Sequence, residues 1–156
     1  MATMFHEVVE GGTGADGAGE TLDGDEVTPA TLLAAFEALV SESIAEGGRE
    51  RVAHAASVDD RAVEAAAAGD VEGLSVTEAA AIVGVTADRD AEAIVAELRD
   101  HLLMGMATAV LDVDTIAAGI DADLTGQEVQ QALEGRAEMT LAQLAEVMAV
   151  IERRKP

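Results

Sequence analysis

Large apolar side chains recur at three- and four-residue steps over most of the chain beyond residue 28, the spacing that gathers them on one face of an α-helix. The densest stretch is residues 90–111, DAEAIVAELRDHLLMGMATAVL. Here Ile94, Val95, Leu98, Leu102, Leu103, Met106, Ala109 and Val110 outline a broad apolar face. A helix this apolar has to bury that face, so it is expected to be the central long helix on which the others pack. Ahead of it, Thr28-Pro29 supplies an N-cap and a first-turn proline. Leu32, Leu33, Phe36, Leu39, Val40 and Ile44 then share a face up to the stop at Gly47-Gly48. Three shorter helices are predicted at 49–56, 60–68 and 75–83, the last two closed by Gly69 and Gly84. After the long helix come 114–119, 125–133 closed by Gly135, and 140–153. Ser75 with Glu78, Thr125 with Glu128 and Thr140 with Gln143 have the spacing of capping boxes, in which each side chain satisfies a free backbone N–H at a helix start.

The order long, short, short, medium therefore occurs twice. Phe36, Val40 and Ile44 align with Leu102, Met106 and Val110 at an offset near 66, and Val58, Val63 and Gly69 align with Leu124, Val129 and Gly135. Leu74-Ser75-Val76 aligns with Met139-Thr140-Leu141 one residue closer. The expected architecture is all-α: a flexible acidic arm over 1–27, one four-helix unit over 28–89 and a second over 90–156. Residues 11–26 are Gly, Asp, Glu, Thr and Ala with the one large apolar residue Leu22, the composition of a disordered linker. Phe5, Val8 and Val9 form a small apolar anchor ahead of it.

Charge changes the picture of the setting. The chain carries 31 acidic against 9 basic residues, a net charge of −22, and its single lysine is Lys155. The apolar share is made mostly of Ala and Val, with two Phe and neither Trp nor Tyr. This composition resembles that of proteins from salt-loving archaea, where molar salt shortens the Debye length to about 3 Å and screens such self-repulsion. MFHEVV at 4–9 and HLLMGMATAVLDVDT at 101–115 look similar to a small acidic haloarchaeal family of unknown function. The resemblance implies no activity. There is no cysteine, hence no disulfide and no thiolate chemistry. The first residues have no signal-peptide pattern, and no apolar run reaches membrane-spanning length, so a cytoplasmic protein without membrane contact is expected.

Residues 49–84 and 114–151 resemble repressor-type helix-turn-helix units of the lambda repressor and Cro kind. In the first, Val52-Ala53, Ser57-Val58 and Val63 carry the resemblance, with Ser57 where the family usually has a turn glycine. In the second it is carried by Ile116-Ala117, Val129, Leu133-Glu134-Gly135-Arg136 and Met139-Thr140-Leu141, with a turn about two residues longer around 119–123. The family role would place the second helix of each pair in the DNA major groove. In the second unit this presents Thr125, Gln127, Gln130 and Gln131, with Arg136 just beyond, as candidate DNA-binding residues; glutamine can pair both edge groups of adenine and arginine can hold guanine or phosphate. The equivalent face of the first unit offers only Arg61 among Asp60, Glu64 and alanines.

Catalysis and metal binding find no matching pattern. His6, His54 and His101 are isolated, and the serines lack nucleophile motifs. Asp121, Asp123, Thr125 and Gly126 mimic the opening of a calcium loop, but Ala132 stands where the closing glutamate would be. No cofactor, no metal site and no enzymatic role are expected. Two readings stand: a DNA-binding transcriptional regulator working through the second unit, and a protein–protein adaptor or homodimeric module whose helix-turn-helix units no longer read DNA.

Overall fold

The computed structural model describes residues 27–121 and 123–154. The acidic arm, with Phe5, His6, Val8, Val9 and Leu22, and Lys155 lie outside the described residues. Val27, the last residue assigned to the arm, is buried at 2 % exposure and belongs to the fold.

The described chain is all-α. Its helices are α1 (Pro29–Gly47), α2 (Arg49–Ala56), α3 (Asp60–Ala67), α4 (Val76–Ala87), α5 (Ala91–Ala109), α6 (Val113–Ala118), α7 (Gly126–Leu133) and α8 (Leu141–Arg154). Their starts follow the capping signals. Thr28 accepts from Thr31 N ahead of Pro29. Ser75 and Glu78 close a capping box on α4, and Thr125 and Glu128 close one on α7. At α8 the Thr140 N–H donates to Gln143 Oε1 at 3.0 Å, and Gln143 N–H donates to Thr140 Oγ1 at 3.1 Å. Each reciprocal pair satisfies two N–H groups that the first turn leaves open.

Gly84, expected to end α4, is interior to it. The helix runs on to a left-handed C-cap at Asp88, φ 55°. Gly84 is buried where a Cβ would stand 2.5 Å from the Arg89 carbonyl oxygen, so the chain doubling back over the helix end is what excludes a side chain there.

The hydrophobic core is one continuous cluster reaching from Val27 to Ile151. α5 packs on α4, α7 and α8, and α1 packs on α2, α3, α4 and α8, so each long helix touches both medium helices. The deepest burial falls to α4, with Val76, Ala79, Ala80, Ile82, Val83 and Gly84, and to α8, with Leu141, Leu144, Ala145, Val147, Met148, Ala149 and Ile151. α5 buries only Ile94, Leu98, Leu102 and Gly105.

Where α4 and α8 begin, the chain pairs with itself. Val76 N–H donates to the Met139 carbonyl and Leu141 N–H to the Leu74 carbonyl, both at 2.8 Å, making an isolated antiparallel bridge between Ser75 and Thr140. These are the two segments that align in the sequence, and the bonds exchange into each other as under a local two-fold. The buried positions of α4 fall on buried positions of α8 in the same register.

The long helices align differently from the sequence expectation. Superposing N-cap on N-cap, Thr28 on Asp90, sets the buried Leu32, Phe36, Val40 and Ser43 on the buried Ile94, Leu98, Leu102 and Gly105. The sequence offset had paired Ile44 with Val110, which is 88 % exposed. The two registers differ by four residues, close to one helical turn, so periodicity alone satisfies either.

Candidate nucleic-acid interface

In the first helix pair Ser57 takes the turn position with φ 57° and ψ 41°, a left-handed conformation usually left to glycine. α3 then buries Val63 and Ala66 and exposes Asp60, Arg61 and Glu64. In the second pair α7 buries Gly126, Val129 and Leu133 and turns Gln127 and Gln130 outward, while Gln131 is half-buried. Thr125 and Arg136 are exposed at its two ends. Four of the five expected contact residues therefore reach solvent on one helix and its flanks.

Their polar groups are largely committed. Thr125 Oγ1 accepts from Glu128 N–H at 3.1 Å, and Glu128 Oε1 accepts from Thr125 N–H at 2.9 Å, so both side chains serve the cap. Gln130 Nε2 donates to Glu134 Oε2 at 3.1 Å, and Arg136 Nε donates to Glu134 Oε1 at 3.1 Å. The Arg136 guanidinium, and after it the Gln130 amide, hold the Glu134 carboxyl below the usual carboxylate range. Arg136 thus sits against an exposed carboxylate, and Glu128 and Glu138, near it in the chain, are exposed as well. A phosphate approaching Arg136 would have to displace Glu134, with little net gain in cation.

In the calcium-like stretch the backbone and side chains described are engaged within the fold. The Asp121 N–H donates to Glu146 Oε1 at 2.6 Å, and Thr125 is the helix cap. Among the described residues no group of three or more His, Asp or Glu side chains converges to hold a metal. His54 is exposed, and His101 lies 3.6 Å from Glu152, both half-buried.

The comparison that bears on identity is with protein families: residues 32–154 match a family described as a family of unknown function, DUF5791. The chain belongs to the DUF5791 family. No curated protein and no solved structure matches it. No helix among the described residues of this DUF5791 chain is long and apolar enough to cross a membrane.

Two features of this family member lie outside the helix-turn-helix reading. Leu103 and Val110, expected on the buried face of α5, are 47 % and 88 % exposed, and Met104 beside them is 69 % exposed. The width of the stripe carried the signal: apolar residues at 102, 103, 104, 106 and 110 cover more of a helix than the helices packing on it can shield. The other is Arg99, half-buried on α5, whose Nε is enclosed without a hydrogen-bond acceptor. Nothing in the sequence separates it from the other arginines.

Proposed function

We propose that this protein is a non-enzymatic interaction module of a salt-rich cytoplasm, and that it pairs with a second copy of itself through the C-terminal half of α5. The observation that carries this reading is the uncovered apolar face of Leu103, Met104 and Val110, with Ala107 exposed between them. Single exposed apolar residues are ordinary, but a run on successive turns of one helix is a contact surface. Residues 101–111 contain no acidic side chain, in a chain that has 31. Val110 adds a cost: it caps α5 with φ 55° and ψ 54°. The left-handed conformation disfavours an L-residue by about 1–2 kcal/mol, and no burial within the single chain offsets it. With the N-caps of α1 and α5 superposed, the same positions on α1 are Ser41, Glu42, Ala45 and Gly48. The apolar face is therefore particular to the second half.

A second copy fits this face on charge. An antiparallel pairing about Ala107 sets each Met104 against Val110 of the other copy, and residues 101–111 bring no carboxylate of either copy into the seam. Such an isologous contact closes as a dimer. Sedimentation velocity in molar KCl is expected to show a dimer. Leu103→Glu with Met104→Glu is expected to give a monomer whose thermal midpoint matches that of wild type at concentrations where wild type is itself monomeric, because neither side chain is core. A wild-type monomer at every concentration contradicts the reading.

A second reading is favoured by the outward Gln127 and Gln130: sequence-dependent DNA binding through α7. If it holds, replacing both by alanine loses about 1–3 kcal/mol of discrimination per bidentate pair at adenine positions, with fold unchanged, in fluorescence anisotropy run in molar KCl. Wild type without sequence preference there removes it. It ranks second because Gln130 and Arg136 are both held by Glu134.

A further inference from the structure

We infer that the cleft under Arg99 is a binding site for a small carboxylate with a short apolar tail. The cleft, about 130 Å³, lies between the start of α4, the middle of α5 and the end of α7. Val76, Val95, Leu98, Leu102, Ala132 and Met139 make its apolar wall. Arg99 lines the same space and has no ion pair or hydrogen bond among the described residues, and its Nε is enclosed. An unpaired guanidinium is unusual in a chain with more than three acidic residues for each basic one. The enclosed Nε is out of reach of water and ligand alike, so the donors that a carboxylate in the cleft would accept from are the terminal nitrogens of the guanidinium. Glu138, at the rim, is engaged by the Thr77 hydroxyl at 3.2 Å.

Arg99 occupies space that a glycine leaves open. Its guanidinium lies over Gly135, where any Cβ would collide with Nη1, and Gly135 has φ 81°. The first half of the fold provides the control. There Gly69, with φ 97°, stands under Glu37, whose Oε2 is 3.3 Å from where a Cβ would be. Glu37 is the counterpart of Arg99 when the N-caps of α1 and α5 are superposed, and Phe36 is the counterpart of Leu98. The same seat thus holds an acid beside a large ring in one half and an arginine beside a smaller side chain in the other. The substitution of Leu98 for a phenylalanine leaves room, and the substitution of Arg99 for a glutamate reverses the charge. Together they specify an apolar anion.

The probe is sodium valerate, with pentanamide as its neutral counterpart, titrated into the full chain in constant molar KCl and followed by amide chemical shifts. Valerate is expected to shift the signals of Ala132, Gly135 and Ala137 saturably, with pentanamide inert. Arg99→Met keeps the apolar stem and should weaken valerate about ten- to a hundredfold, the loss of a charge-assisted hydrogen bond. Leu98→Phe rebuilds the first half's packing and should block the cleft while leaving the spectrum folded. Absence of saturable shifts with wild type, an equal response to pentanamide, or an R99M protein that binds valerate like wild type overturns the assignment.

Discussion

Transferred from molar KCl to about 0.01 M salt, the chain is expected to lose its cooperative thermal transition, because the Debye length grows from about 3 Å to about 30 Å. The excess of 31 acidic over 9 basic residues is then felt across the whole molecule. Two unit charges about 15 Å apart in water repel by about 0.3 kcal/mol. A few dozen such pairs equal the net stability of a typical domain, about 5–15 kcal/mol. Internal compensation is thin: Arg89 pairs with Glu97 and Arg136 with Glu134, while exposed carboxylates such as Glu42, Glu46, Asp60 and Glu64 have no cation in salt-bridge range among the described residues. Circular dichroism melts at the two salt concentrations check this. Equal midpoints would mean that the surface charge does not govern stability and that the salt-rich setting is wrong.

Leu102→Ala is expected to destabilise by about 2–5 kcal/mol, the cost of lost burial plus the cavity left behind. Leu102 is 2 % exposed in the middle of α5, against α4 and α8. Leu103→Ala, one residue on, is expected to cost less than about 0.5 kcal/mol in the monomer, as surface substitutions do. Denaturant melts of the two variants, in molar KCl and at concentrations where the chain is monomeric, separate a helix buried on one side from one buried all round. Similar losses for both would place Leu103 in the core and remove the exposed face on which the interaction reading depends.

Most of the fold was legible because its signals are local. N-caps at Thr28, Ser75, Thr125 and Thr140, together with the glycines near 47, 69 and 135, set helix ends to within a residue or two. What was not legible depends on distant chain. Gly84 looked like a stop because its reason, the Arg89 carbonyl lying over the helix, is a close approach that no local pattern records. The register between the two long helices slipped by one turn because apolar periodicity repeats with the turn; the buried faces decide it. The candidate DNA face was found as a set of exposed residues, yet the bonds of Glu134 to Gln130 and Arg136 join side chains whose rotamers a sequence does not specify. The stripe on α5 could be read as apolar. Which part of it stays uncovered follows only from where α4, α7 and α8 pack.

The most direct test of self-pairing uses the absence of cysteine from the chain. Ala107 lies exposed at the middle of the α5 face, between Leu103 and Val110. A two-fold through this point brings the two copies of residue 107 together, and a disulfide forms only where Cα atoms approach to about 4.4–6.8 Å. Under mild oxidation in molar KCl, Ala107→Cys is expected to convert to a covalent dimer, while Glu64→Cys on the exposed side of α3 stays monomeric. An Ala107→Cys protein that remains monomeric, or that cross-links no faster than Glu64→Cys, would contradict the account.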